Sequence, residues 1–153
     1  MSWTALWLFL HVTSVVIWVG GMFFAYRCLR PVAAQQLQPP QRLPLWAAVF
    51  SRFFPWVWAS VAVILVSGLA MLLAVGIAGA PLRWHLMLTV GLAMTAIFAH
   101  VYFAPFQRLK RGVAAQKWPD AAAALNQIRR LVGTNLILGF ANIAIILLGR
   151  MVP

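Results

Sequence analysis

Acidic side chains are all but missing from this sequence: Asp120 stands alone against twelve lysines and arginines. That absence leaves paired-carboxylate hydrolysis and carboxylate proton relays with nothing to work with, since each needs ionisable acids held close together. Cysteine is as scarce. Cys28 is the only one, so no intramolecular disulfide and no CxxC pair can form. Beside Arg27 and Arg30 it reads as a small residue at a helix end rather than a reactive thiol. There is no HExxH, no glycine-rich phosphate loop, no lipidation motif, no internal repeat and no low-complexity tail. The first residues lack a basic stretch, and their apolar run continues straight into "YRCLRP", so they read as a span rather than a signal peptide.

Apolar residues fill the space the acids leave. Of 153 residues, 64% are hydrophobic and 8% charged, more apolar surface than a water-soluble domain of this length can hide. The chain is therefore expected to be one all-α, polytopic membrane domain, a four-helix bundle with the lipid bilayer as its first partner. The four apolar runs cover about residues 3–26, 55–78, 83–105 and 131–150, with edges uncertain by about 2–4 residues.

The net charge of +11 does not signal nucleic acid, because no recognition motif accompanies it. The basic residues flank the spans instead. Arg27, Arg30, Arg42 and Arg52 lie between the first and second. Arg108, Lys110, Arg111, Lys117, Arg129 and Arg130 lie between the third and fourth. The remaining loop has only Arg83, and the C-terminus has Arg150. Positive loops stay in the cytoplasm, so both termini are expected outside.

Both long loops carry helix signals. "QLQPPQRLPLW" at 36–46 predicts a short interfacial helix entering the second span. "KWPDAAAALNQIRRL" at 117–131 places Pro119 and Asp120 in a first turn, which predicts an amphipathic helix running into the fourth. Trp3, Trp7, Trp46, Trp56, Trp58, Trp84 and Trp118 fall near the expected interfaces, like an aromatic belt; Trp18 does not.

An ionisable group inside the membrane costs free energy and marks a candidate site. At ~1.5 Å per residue, His11 lies ~6 Å outward of the midplane, Met71 ~7 Å, Met87 ~10 Å and His85 ~13 Å. His100 lies ~9 Å inward, level with Met22 at ~10 Å. His11, Val15, Trp18 and Met22 share one helix face; His85, Leu92, Ala96 and His100 share another. Gly20 and Gly21 thin the first span and allow close packing. Imidazole ligates haem and metals, and thioether suits haem iron or Cu(I). The outer metal candidates are thus His11, Met71, His85 and Met87, with Met22 and His100 as an inner pair. Each histidine has a plainer reading as an interhelical hydrogen-bonding group, and each methionine as packing. Asn135 and Asn142, seven apart on the fourth span, read as interhelical glue.

"LHVTSVVIWVGGMFFAYRCLRP", "FSRFFPWVWASVAVILVSGLAML" and "WHLML…AHVYFAPFQRLKRG" together resemble the CopD-like membrane proteins over most of the chain. The same layout is similar to the HemJ family of haem-carrying protoporphyrinogen oxidases through His11, Trp18, Gly21, Phe23, Phe24, Arg27 and His100. It departs from that family at Met87, where a lysine is expected, and at "RRLVGTN", where a Trp-Asn-Glu-x-Pro entry is expected. The resemblance to HemJ therefore implies haem binding without the oxidase chemistry.

The leading expectation is a haem b protein of a bacterial inner membrane, in electron transfer or in oxidation of a membrane-accessible donor. His11 would be one axial ligand and His85 or His100 the other, with Trp18, Met22 and Met71 lining the group. A redox partner or quinone, and a homodimer through the thin helix faces, would accompany it. The CopD resemblance implies copper binding or transport instead. A cofactor-free structural subunit is the third reading.

Overall fold

Backbone N–H and C=O groups find no water in hydrocarbon, so a chain this apolar has to satisfy them within its own helices. The computed structural model describes residues 3–149, and among these there are helices and no strands. The order is α1 (Trp3–Phe23), a π-helical turn (Phe24–Leu29), α2 (Arg30–Gln36), α3 (Pro39–Val75), a 3₁₀ turn (Ile77–Gly79), α4 (Leu82–Phe103), α5 (Pro105–Ala114) and α6 (Trp118–Leu148). Four continuous helical stretches are long and apolar enough to cross a membrane. The expected all-α, four-span membrane bundle is therefore what the chain forms. Arg150, at the expected edge of the fourth span, lies outside the described residues.

The spanning helices outrun the bilayer at the basic end. The 37 residues of α3 reach about 55 Å, against a hydrocarbon core of about 30 Å. Residues 39–54 are the first turns of that one helix, not a separate short helix, even though it contains Pro44 and Pro55. Each proline deletes a backbone donor. Packing holds the helix together regardless. Trp46, Phe50 and Phe54 recur every fourth residue and stack at 5.1 and 5.0 Å. Phe106 and Phe98 meet Phe54 edge-on at 4.8 and 5.4 Å.

Two of the expected belt tryptophans thus have another role. Trp46 is buried in this aromatic core, and Trp58 packs on Phe98 at 4.9 Å. Trp3 and Trp56 are exposed, as a belt requires.

Proline sets the other irregularities. The π turn widens the first helix just ahead of Pro31, whose ring would otherwise crowd the carbonyl one turn back. Ala104 leaves helical geometry before Pro105, and α5 then starts afresh. On α5, Phe106, Leu109 and Gly112 are buried while Arg108, Lys110 and Arg111 are exposed, the pattern of an interfacial helix. Pro119 and Asp120 sit in the first turn of α6, which continues unbroken through the fourth span as the sequence predicts.

The helices pair, α1 with α3 and α4 with α6, and α6 also touches α1 and α3. Trp18, Val19 and Met22 of α1 close the centre with Met94 and Phe98 of α4 and Leu136 of α6. Gly139 lets α6 approach Val19 and Met94; a Cβ there would stand 3.0 Å from Val19. Of the two glycines expected to thin the first span, Gly21 seats the Phe53 ring, whereas Gly20 meets no neighbour. Asn135 and Asn142 donate to the Met94 and Met87 carbonyls at 3.0 and 3.2 Å, two rungs of a ladder between α6 and α4. They are the interhelical glue the sequence suggests.

The turn from α5 into α6 is closed by Lys117 N–H donating to the Gly112 carbonyl and Gln116 N–H to Val113. This is a Schellman-type end, and Gln116 occupies its left-handed position at φ 55°. Gln116→Gly is expected to raise stability by about 0.5–1 kcal/mol, seen as a higher melting temperature in detergent. An unchanged or lower melting temperature would refute it.

Candidate functional site in the outer half of the bundle

His11 projects from α1 toward α3, where Ser67 and Gly68 sit side by side. Its Nδ1 lies 2.9 Å from Ser67 Oγ. Ser67 is fully buried, and its hydroxyl donates to the Val63 carbonyl at 2.5 Å. With the hydroxyl proton used there, Ser67 meets His11 as an acceptor, and Nδ1–H is the donor. That assignment turns the Nδ1 side of the ring to Ser67 and leaves Nε2 as the nitrogen through which a neutral imidazole would ligate a metal. Gly68 provides the room, since a Cβ there would stand 3.3 Å from His11 Cε1. Met71, half-buried, is one turn beyond Ser67 on the same face of α3, about 6 Å further out.

The remaining expected ligands are distributed differently. His100 is exposed at the inner end of α4, with Nε2 3.4 Å from Gln127 Nε2 of α6. Gln127 in turn accepts from Arg108 Nη2 at 2.6 Å. His11 turns to α3 and His100 to α6, so the two do not face each other. His85, half-buried, occupies the first turn of α4, and its carbonyl accepts from Thr89. Met87, also half-buried, follows it on the side where Asn142 of α6 reaches across. Among the described residues no three His, Cys, Asp or Glu side chains converge.

Trp18 and Met22 are core residues. Trp18 meets Phe98 edge-on at 6.1 Å, and the void beside Trp18 and Met22 is only about 20 Å³. That is room for about one water, far below the about 300–1,000 Å³ of pockets for drug-sized ligands. A porphyrin does not fit between α1 and α4 as they are packed. A larger cavity of about 210 Å³ opens at the basic end, and no histidine lines it.

Sequence reading missed Ser67 as the partner of His11. The signal was present, as a Ser-Gly pair in mid-span at a height close to that of His11, but it carried no direction.

A family model described as copper resistance protein D matches residues 47–148. The chain belongs to the CopD family. The match takes in α3 from its third turn onward, with Ser67, Gly68 and Met71, together with all of α4, α5 and α6. It bears out the CopD part of the resemblance and lends nothing to the HemJ part. Searches of curated proteins and of solved structures find no match. CopD membership and the four spans make this a multi-pass membrane protein of the copper-resistance type.

Proposed function

We propose that this CopD protein binds Cu(I) as cargo in the outer half of the membrane, with His11 Nε2 as the anchoring ligand. The observation that carries the reading is the Val63–Ser67–His11 hydrogen-bond chain, which orients the His11 ring through Nδ1 and leaves Nε2 for a metal. The thioether of Met71 supplies a soft second ligand one turn away, suited to Cu(I). His85 and Met87, at the outer end of α4, lie on different sides of that helix and would serve as separate ligands along which the ion enters from outside. The basic end faces the cytoplasm, which puts this pair on the periplasmic side of a bacterial inner membrane.

The test is the spectrum and metal content of the purified protein after loading under reducing conditions. Stoichiometric copper without a visible chromophore is the expected result. A Soret band with sharp α and β bands, and no bound copper, would overturn the proposal.

A further inference from the structure

The cavity of about 210 Å³ at the basic end lies between α2 and its π turn, α3 and α6. Its polar wall is made by Tyr26, Arg30, Arg42, Asn126 and Arg129; its apolar wall includes Trp46. These three arginines are half-buried, whereas every other lysine and arginine at this end is exposed, Arg52 and Arg130 among them. Arg30 rests over the Tyr26 ring at 5.1 Å, which orients it. The only carboxylate side chain of the chain, Asp120, is exposed and does not line the cavity. Three like charges thus surround one partly desolvated space with no carboxylate among its lining residues. Such a space lowers its energy by taking up an anion.

Arginine matches phosphate with paired N–H donors, and basic pockets between spanning helices on the cytoplasmic side suit lipid headgroups. We infer that this cavity is a binding site for a phosphate-bearing anion, the headgroup of an anionic phospholipid in the leaflet on the basic side. The volume suits a headgroup, and the apolar wall beside it suits the glycerol and first chain carbons. The site is remote from His11 and independent of the copper reading.

The experiment takes the intact chain in neutral detergent and adds phosphatidylglycerol, phosphatidylcholine or inorganic phosphate. Melting temperature and lipid retained in native mass spectrometry are the readouts. At free phosphatidylglycerol about tenfold above its Kd, the melting temperature is expected to rise by about 3–5 °C, with no response to phosphatidylcholine. Arg42→Gln with Arg129→Gln removes the response. Arg52→Gln with Arg130→Gln, which deletes the same charge from exposed positions, keeps it. Ala122→Leu fills the cavity without changing charge and removes the response in a protein that still folds, so it decides the matter if the double variant does not fold. A full response to inorganic phosphate alone would support the anion site and assign its source to soluble phosphate. Equal responses to the two lipids, retention in Ala122→Leu, or equal losses in the two double variants would each overturn the inference.

Discussion

His11→Ala is expected to abolish stoichiometric Cu(I) binding while the helices remain folded. The side chain is half-buried between α1 and α3 and meets α3 through a hydrogen bond to Ser67. Hydrogen bonds between spanning helices contribute about 0.6 kcal/mol on average, so the truncation costs little stability. Its effect on the metal is much larger. Loss of a supporting partner alone costs about 10–100-fold in affinity at metal sites, and loss of the ligand itself exceeds that. Ser67→Ala should therefore fall between: the acceptor for Nδ1–H is gone, the tautomer is no longer held, and Cu(I) affinity drops about 10–100-fold. Competition with a chromophoric Cu(I) chelator measures both, and melting in the same detergent checks folding. Unchanged affinity in His11→Ala would remove His11 from the site. Equal losses in the two variants would mean that Ser67 does more than orient the imidazole.

Gly112→Ala is expected to be strongly destabilising. A Cβ at Gly112 would lie 2.9 Å from Ala121 Cβ, 3.0 Å from its backbone nitrogen and 3.1 Å from its Cα. Those atoms belong to the first turns of α6, and the Gly112 carbonyl is already bonded to Lys117 N–H, so neither side yields cheaply. Overpacking of this kind costs about 1–3 kcal/mol, a fall of about 3–10 °C in melting temperature for a chain this size. Gly20→Ala is the internal comparison. Nothing lies within 4 Å of a Cβ there, and alanine favours the helix, so stability should hold or rise. A Gly112→Ala protein that melts with the native one would show that α5 does not rest on α6 this closely.

The helices were readable from the sequence because the bilayer imposes one-dimensional rules. Apolar length sets the number of spans, and the requirement that backbone groups bond internally makes each span helical. Prolines and the alanine run marked the start of α6 correctly. The prolines of "QLQPPQRLPLW" suggest a separate short helix, but aromatic packing along Trp46, Phe50 and Phe54 keeps that stretch within α3. The amphipathic α5 behaved as water-facing helices do, with its charged face out.

Composition and hydropathy alone therefore determined that this is a four-span helical membrane protein with a basic end, and three stretches of the sequence resemble the CopD-like proteins. Only the tertiary structure decided that His11 meets Ser67, that His100 meets Gln127, and that Trp18 and Met22 fill a core instead of flanking a porphyrin. The reason is the solvent. Lipid is as apolar as a protein interior, so α1 can point Phe9 and Val16 outward and Trp18 inward with no hydropathy difference to tell them apart. Height along a span follows from counting residues. Rotation about the helix axis, which chooses the partner of each imidazole, is set by how glycines, serines and aromatic rings of different helices fit together.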